Sequence, residues 1–378
     1  MTRELMEIVA RVALFDANTR AILATVIDVR GSGYRLPGAR MLILQNGETC
    51  GTVSGGCLET DVLERARKVL RTGKAEVFTY DTTADENSVF SLNMGCRGVI
   101  RILLEPIDRE SGLNKLLSCV WHERRKRTLA TYIGGDPGET VRVGERVFLS
   151  ANNKITSGSE IAERFPGLDD DLRTFSETDA AYETVRYVNE QGEGEFAFES
   201  LLPPVLLLIL GAGADAVPLA RAGFDLGWQV RVYDHRPAFL AHQRFPDADK
   251  LVVTDREKIE IGTDADKLTA VVSINHNYDR DKESIAAALK TNAFYIGALG
   301  PKKRTEQILA AIRTRGEEIP SAALSRLRYP AGLDIGGDTP ESIAVSIVAE
   351  IQSVLKQRPA SPLRDRNGSI YDRKLTSN

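Results

Sequence analysis

The fold is decided by the stretch VLLLILGAGADA, residues 205–216. It begins as a run of branched apolar side chains, and the two glycines Gly211 and Gly213 end that run. An apolar strand that leads through G-x-G-x-x-(G/A) into a helix is typical of a turn whose backbone amides hold a phosphate. Ala216 takes the last position of the pattern, where a small side chain lets the helix pack close to the sheet.

Beyond this turn the chain alternates between strand patterns and helix patterns. The predicted strands are Val205–Leu210, Gln229–Tyr233, Leu251–Val253, Thr269–Ile274 and Ala293–Ile296. The predicted helices are Asp215–Leu226, Lys282–Leu289, Lys303–Arg313 and Pro340–Leu355. This alternation indicates an α/β fold with a Rossmann-type parallel sheet over residues 205–357, followed by a polar tail at 358–378.

The first 108 residues form the pattern of a smaller N-terminal α/β domain. The pair Asn46-Gly47 predicts a β-hairpin with a type I′ turn, and a helix is expected from Leu58 to Leu70, ended by Gly73. Further strands are predicted at Ala21–Val29, Ala75–Tyr80 and Gly98–Leu104. Residues 109–204 have weaker signals, and we interpret them as a linking region with mixed short elements that ends at Pro203-Pro204.

Composition and motif content exclude several classes of function. A net charge of −4 gives no support for a nucleic-acid partner or for an anionic membrane. The longest apolar run, Val205–Leu210, is too short for a membrane helix, and charged residues interrupt the first twenty positions. Four cysteines without paired spacing indicate free thiols in the cytoplasm. The chain contains no HExxH, CxxC, GxSxG or Walker A motif.

Five segments of the C-terminal half are candidates for binding a cofactor. Gly211 and Gly213 are expected to approach a phosphate, and Asp234, which ends the next strand, is placed to accept ribose hydroxyls. His276 follows a buried strand at the ligand edge of the sheet. The remaining candidates lie in two further glycine-containing segments. The first contains Gly297, Gly300 and the cations Lys302, Lys303 and Arg304, and the second contains Gly336.

Each of these candidates has an alternative interpretation. Asp215 in the first helical turn would repel a phosphate, and His235-Arg236 leave NAD-like and NADP-like ligands open. The three cations could belong to a solvated helix end, and His276 could be a hydrogen-bonded structural residue.

Two cysteines lie in glycine-flanked loops. Cys57 follows Gly55 and Gly56 at a predicted helix start, a setting that favours a thiolate, and Cys96 lies between Gly95 and Arg97. Gly55 and Gly56 are themselves expected to contact the cofactor. We expect Cys57 and Cys96 to act as thiolates toward a metal or a transferred sulfur. Cys50 and Cys119 fit the pattern of small buried hydrophobic residues.

Taken together, these segments resemble the XdhC/CoxI family of molybdenum-hydroxylase accessory proteins. The matching stretches occur in family order and span most of the chain except its middle. They are Gly38-Ala39-Arg40-Met41, Ser54-Gly55-Gly56-Cys57, Leu92-Asn93-Met94-Gly95-Cys96, Leu210-Gly211-Ala212-Gly213, Val232-Tyr233-Asp234-His235-Arg236-Pro237, Arg244-Phe245-Pro246, Tyr295-Ile296-Gly297-Ala298-Leu299-Gly300 and Gly332-Leu333-Asp334-Ile335-Gly336.

The resemblance implies a carrier and chaperone rather than a turnover catalyst. Such a protein binds molybdenum cofactor, as molybdopterin or its dinucleotide form, protects it during sulfuration, and delivers it to a xanthine-dehydrogenase-like apoenzyme. A cysteine desulfurase and a second copy of the chain, in a homodimer, are the implied partners, and Cys57 is the candidate molybdenum ligand. Two alternatives remain open, an NAD(P)-dependent oxidoreductase and a non-catalytic interaction scaffold with a degenerate Rossmann fold.

Overall fold

The structure is a computed structural model that describes residues 3–17, 19–31, 33–81, 98–136, 141–149, 155–156, 159–190, 192–256, 259–261 and 265–367. The chain divides into two compact units, Met1–Pro203 and Pro204–Asn378. Among the described residues, no helix combines the length and the apolar character needed to cross a bilayer.

Unit 1 contains five helices and ten strands among its described residues. The helices are α1 (Arg3–Ala13), α2 (Glu59–Thr72), α3 (Gly112–Glu123), α4 (Ser159–Arg164) and α5 (Leu168–Glu177). The strands are β1 (Ala21–Gly31), β2 (Arg40–Leu44), β3 (Thr49–Gly51), β4 (Glu76–Asp81), β5 (Gly98–Ile107), β6 (Arg127–Asp136), β7 (Arg146–Leu149), β8 (Ile155–Thr156), β9 (Tyr182–Asn189) and β10 (Gly192–Leu201).

These strands form two five-stranded antiparallel sheets. Their orders are β3-β2-β1-β5-β4 and β8-β7-β6-β10-β9. The period of two along β1 and β5 directs one set of side chains toward α2 and the other set toward the second sheet. On the far side of the second sheet, α4 and α5 bury an aromatic cluster that includes Phe165, Phe175 and Phe196. Unit 1 is therefore a layered α/β/β/α sandwich.

Three arginine–glutamate pairs join the two sheets of unit 1. Arg40 donates from both Nη atoms to Glu199, at 2.9 and 2.5 Å, and the two side chains are 4% and 9% exposed. Arg101 pairs in the same two-pronged way with Glu195, and Arg146 with Glu105. Burial lowers the pKa of Arg40, but the hydrogen-bonded Glu199 raises it by a larger amount, so the net pKa lies above its usual value. The Arg40 guanidinium therefore stays charged inside the sandwich.

Unit 2 contains five α-helices and six strands among its described residues. In chain order they are β11 (Leu206–Leu210), α6 (Ala216–Asp225), β12 (Gln229–Asp234), β13 (Lys250–Val253), β14 (Thr269–Ser273), α7 (Tyr278–Leu289), β15 (Tyr295–Ala298), α8 (Lys302–Thr314), α9 (Ser321–Leu324), β16 (Leu327–Arg328) and α10 (Pro340–Leu355). Two single-turn 3-10 helices occur at Pro237–Phe239 and Leu363–Asp365.

The six strands of unit 2 form one parallel sheet in the order β13-β12-β11-β14-β15-β16. All five residues of β11 are buried, because apolar clusters cover both faces of the sheet. One cluster involves α6 and α10, and the other involves α7 and α8. The strand order reverses direction between β11 and β14, so the carboxyl ends of these two strands flank the crevice where sheets of this kind bind ligands.

The α/β fold class and the Rossmann-type sheet are confirmed, with strand ends that shift by one or two residues. Helix α7 begins at Tyr278, one turn earlier than predicted, because Asn277 accepts a hydrogen bond from the Arg280 amide and caps it. Helix α2 does end at Gly73, whose φ is +68°.

One local prediction is wrong. A type I′ turn at Asn46-Gly47 needs positive φ at both residues, and of the two only Gly47, at +89°, has it. The second sheet of unit 1 lies within the region that was interpreted as linking; the predicted domain boundaries themselves stay predictions.

The buried pair predicts a specific loss of stability. Arg40→Met leaves the Glu199 carboxylate buried without its cation, and we expect the free energy of unfolding to fall by about 3–5 kcal/mol. The control is Arg186→Met, since Arg186 pairs with Glu193 on the exposed surface of the same sheet, where the loss should stay below about 1 kcal/mol. Urea unfolding measures both; equal losses in the two variants would contradict the role given to the inter-sheet pair.

Candidate functional site

The first turn of the Rossmann sheet depends on Gly211. This residue has a φ of +116°, and a Cβ there would lie 2.8 Å from the carbonyl oxygen of Ile274 at the end of β14. The Gly211 amide donates to the carbonyl of Tyr233, and the Ile274 amide donates to that of Leu210. The turn after β11 and the loop after β14 therefore approach each other as closely as backbone atoms allow.

Gly213 is under no comparable constraint within the protein. Its φ is not in the left-handed region, and the nearest atom to a built Cβ is Cδ2 of His276, at 4.0 Å. Helix α6 begins three residues later, and the first amides of a helix have no carbonyl partner within it. Open space beside Gly213 leaves room for a ligand to approach these amides.

Arg244 holds this turn from its other side. Its guanidinium donates to the carbonyl oxygens of Ala212, at 2.8 Å, and of Gly213, at 3.1 Å. It also donates to the carbonyl of Phe239. Sequence reasoning did not assign this role to Arg244, because the residue lies in a loop more than thirty positions away from the turn.

The carboxylate of Asp234 is hydrogen-bonded to the same turn. One carboxylate oxygen accepts from the Ala212 amide and from Nη2 of Arg236, both at 2.8 Å, while the other accepts from the Arg236 amide and Nε, both at 2.9 Å. Burial raises the pKa of Asp234, but these donors outweigh it and lower the pKa to about 2. The side chain is fully buried. Its predicted contact with ribose hydroxyls stays a prediction, and in this arrangement both oxygens already have partners.

Asp215 and His276 form a pair across the crevice. Nε2 of His276 lies 2.6 Å from Oδ2 of Asp215, so the loop after β14 is linked to the first turn of α6. His276 is exposed and has a φ of +56°, a left-handed conformation that few non-glycine residues adopt. The contact with His276 engages one oxygen of the Asp215 carboxylate, which would otherwise lie unpaired beside an approaching phosphate.

A buried carboxylate also organises the β14 loop from below. Oδ1 of Asp281 accepts from the Ser273 hydroxyl at 2.8 Å and from the Asn275 amide at 3.1 Å. Its other oxygen accepts from the guanidinium of Arg304. Arg304, one of the three predicted anion-binding cations, is therefore already engaged by the chain, whereas Lys302 and Lys303 at the start of α8 are exposed.

The remaining predicted glycines differ in what surrounds them. Gly297 is packed, since a Cβ there would meet Tyr295 at 2.9 Å and Ala331 at 3.0 Å. Gly300 has a φ of +116°, and Gly336, at +75°, has nothing within 4 Å of a built Cβ. Gly297 is thus required by packing within the sheet. A Cβ on Gly300 would contact Nη1 of Arg304 at 3.4 Å, whereas Gly336 borders open space, and both residues stay predicted ligand contacts.

In unit 1, the loop Ser54–Cys57 wraps around a carboxylate of its own. Oε1 of Glu59 accepts from the Thr52 hydroxyl and from the Ser54 amide, and Oε2 accepts from the Ser54 hydroxyl and from the Gly56 amide. Burial raises the pKa of Glu59, but the hydrogen bonds from Ser54 and Thr52 lower it more, and the net pKa is below its usual value. The amides and hydroxyls of the loop therefore form a set of anion-binding donors, and the Glu59 carboxylate already occupies them.

Cys57 projects from this ordered loop. The thiol is free and its residue is exposed, as are Gly55 and Gly56, while the ring of Tyr34 packs 3.0 Å from the position of a Cβ on Gly55. Cys50 and Cys119 are half-buried. Cys96 lies outside the described residues. Within the part of the chain that is described, no group of three or more His, Cys, Asp and Glu side chains could hold a metal ion.

The two glycines of the turn predict different responses to the same substitution. Gly211→Ala places a methyl group against the Ile274 carbonyl at an unfavourable φ, and we expect a loss of about 2 kcal/mol or more in the free energy of unfolding. Gly213→Ala, with open space around it, serves as the matched control and should change stability by less than about 0.5 kcal/mol. Thermal and urea unfolding compare them; a Gly211→Ala protein as stable as the Gly213→Ala protein would refute the close approach of β11 and β14.

Comparison with known proteins places both units in one family. Residues 207–351 match the model of the XdhC Rossmann domain, and residues 14–81 match that of the XdhC and CoxI family. A protein of Bacillus subtilis named as a probable subunit of xanthine dehydrogenase is 31% identical over 91% of this chain and 96% of its own length. The molybdenum cofactor insertion chaperone PaoD of Escherichia coli is 24% identical over 88% of this chain and 83% of its own.

A solved structure agrees with the sequence comparisons. A crystal structure described as a xanthine dehydrogenase from Bacillus halodurans superposes with a TM-score of 0.71 at 26% identity. The match covers 96% of this chain and 98% of that one. The chain therefore belongs to the XdhC and CoxI family.

Proposed function

We propose that this protein is a molybdenum cofactor chaperone, which binds the cofactor and delivers it to a xanthine-dehydrogenase-like apoenzyme. The observation that carries the proposal is the turn at Gly211–Gly213, where open space beside Gly213 borders the start of α6 at the reversal point of a parallel sheet. Molybdenum cofactor bears a phosphate, and helix N-termini at such a point bind phosphates. The names of two relatives, a cofactor insertion chaperone and a probable component of xanthine dehydrogenase, support the same role.

The phosphate is the part of the cofactor that we assign to the crevice of unit 2. Gly213 allows the ligand to approach the backbone, and the His276–Asp215 pair supplies an imidazole beside it. The exposed Lys302 and Lys303 add positive charge at the start of α8. Gly300 and Gly336 border the same edge of the sheet in our proposal, and Asp234 acts by fixing the Ala212 amide.

The thiol of Cys57 is the group that we assign to molybdenum or to the sulfur that is transferred. Because the exposed thiol stands on a loop braced by Glu59, the position of the sulfur is fixed while its surface stays accessible. A soft thiolate suits molybdenum–sulfur chemistry. A metal that arrives with ligands of its own can be held by a single protein thiolate, and Cys57 is the exposed cysteine among the described residues.

The proposal extends to how the protein works in the cell. A cysteine desulfurase supplies the sulfur, the protein acts in the cytoplasm as a homodimer, and Cys96 is a second candidate thiolate. In this role the chain protects and transfers its ligand without catalytic turnover. An NAD(P)-dependent oxidoreductase is the competing function, and the commitment of both Asp234 oxygens to the chain speaks against ribose binding by that carboxylate.

Retention of metal by cysteine variants tests the proposal. The protein is purified without oxygen from a host that makes molybdopterin, and bound molybdenum and pterin are quantified. We expect the Cys57→Ser protein to retain less molybdenum, by on the order of tenfold, since loss even of an outer partner of a metal ligand costs that much. Cys119→Ser, at a half-buried thiol on α3, is the matched control and should retain as much as the unaltered protein.

Two outcomes would count against the assignment. If neither molybdenum nor pterin accompanies the unaltered protein, the chaperone function fails. If metal retention is equal in the Cys57→Ser and Cys119→Ser proteins, Cys57 is not a ligand. Saturable binding of NADPH or NADH at micromolar concentration, with turnover, would favour the oxidoreductase instead.

A further inference from the structure

A cavity of about 710 Å³ lies in unit 2 beside the first turn of α7. It is bounded by the loop after β12 and by the loop after β14. Every residue that lines it is polar or charged, and the cations are Arg236, Arg256, Arg280, Lys282 and Arg315. Ligand pockets of this volume are ordinarily lined mostly by apolar side chains. The composition of the wall therefore indicates a ligand group of high charge.

The carboxylates of the wall do not balance these cations. Asp279 lies 2.8 Å from Lys282, and Glu283 lies 2.7 Å from Arg315, so each carboxylate is used by one cation. Arg236 is likewise paired with the buried Asp234 carboxylate. Arg256 and Arg280 are therefore the two cations of the wall that form no ion pair within the described residues.

Arg280 is the unusual member of this wall because it is buried. The residue is 7% exposed, and its guanidinium donates to the carbonyl oxygens of Asp255 and Arg256 and to the hydroxyl of Thr254. Its Nε has no hydrogen-bond partner. Burial lowers the pKa of Arg280 by more than the carboxylates of Asp234, Asp255 and Glu283 raise it, so these carboxylates do not fully compensate the buried cation. A buried guanidinium with a free donor is costly unless an anion compensates it.

The position of Arg280 ties the cavity to the ligand edge of the sheet. The residue lies in the first turn of α7, the helix that follows β14, and its side chain reaches the loop that follows β13. In the sheet, β13 and β14 are separated by β12 and β11. His235, after β12, faces the same cavity, and burial together with Arg280 lowers its pKa. The cavity is thus a positively charged space at the carboxyl ends of the strands.

We propose that this cavity binds a phosphate or pyrophosphate group, held by Arg280 and Arg256 and bordered by His235. It is a second anion site, distinct from the glycine turn after β11. The site requires only that the ligand carry a phosphate or pyrophosphate, so the proposal does not depend on the chaperone function. A neutral nucleobase in this space would desolvate charged walls without pairing them. The ligand is therefore one that places an anionic group in this cavity.

Titration with inorganic pyrophosphate tests the site, with the imidazole signals of the protein as the readout. The chain has only four histidines, so their proton resonances can be followed individually by NMR. Bound pyrophosphate should raise the pKa of His235, because an adjacent anion stabilises the imidazolium. Arg280→Lys and Arg256→Gln should each weaken pyrophosphate binding by at least about tenfold, the loss expected for one charge-assisted hydrogen bond.

The control variant removes an equal charge elsewhere. Arg221, exposed on α6, pairs with Asp225, and Arg221→Gln should leave pyrophosphate affinity unchanged. Arg256 is exposed, so its variant tests the site even if Arg280→Lys fails to fold. Absence of binding, or equal affinity in the Arg256→Gln and Arg221→Gln proteins, would overturn the proposal. A shift of His276 in place of His235 would also overturn it, since the anion would then lie at the glycine turn.

Discussion

The contact on which unit 2 depends is the approach of Gly211 to the end of β14. No side chain can stand between them, because a Cβ would lie 2.8 Å from the Ile274 oxygen. That approach places the loop carrying Asn275 and His276 against the turn carrying Gly213, and it joins Asp215 to His276. The crevice at the reversal point of the sheet is a consequence of this one close packing of backbone on backbone.

A second principle recurs around the candidate sites, since carboxylates of the chain occupy donors that could bind an anion. Asp234 takes the Ala212 amide, Asp281 takes the Asn275 amide and Arg304, and Glu59 takes two amides of the Cys57 loop. Each carboxylate fixes a loop that the fold alone would leave free. Arg280 differs from these donors because only neutral oxygens of the chain meet it. This contrast separates the braced loops from the open anion site.

The sequence was sufficient for the parts of the fold that depend on local pattern. The buried strand Leu206–Leu210, its glycine turn and the helix Pro340–Leu355 were predictable, because apolar periodicity and end signals coincide there. The second sheet of unit 1 was not predicted from the sequence, since strands such as β9 alternate between exposed and half-buried residues and show no clear apolar face. The pairing of Arg40 with Glu199 joins residues 159 positions apart, and nothing local in the sequence signals it.

For the site, sequence reasoning found residues but not their partners. Asp234 and His276 were singled out as candidates, and they stay predicted ligand contacts that lie at the carboxyl end of β12 and after β14. The hydrogen bonds from Arg236 and the pairing with Asp215 depend on three-dimensional proximity. Arg280 was missed because an arginine in a first helical turn is ordinary in sequence. Its burial and its free Nε exist only in the folded chain. Arg236 and Arg256 lie in two different loops and Arg280 lies in the first turn of α7, so the three arginines form no motif in the sequence.

The function proposed for unit 2 requires a phosphate-bearing ligand at the carboxyl ends of β11 and β14. A crystal structure of the protein purified without oxygen from a molybdopterin-producing host tests this placement most directly. We expect phosphate density within hydrogen-bond distance of the amides between Gly213 and the start of α6, with His276 beside it. Phosphate density at the opposite, amino-terminal edge of this sheet would contradict the placement.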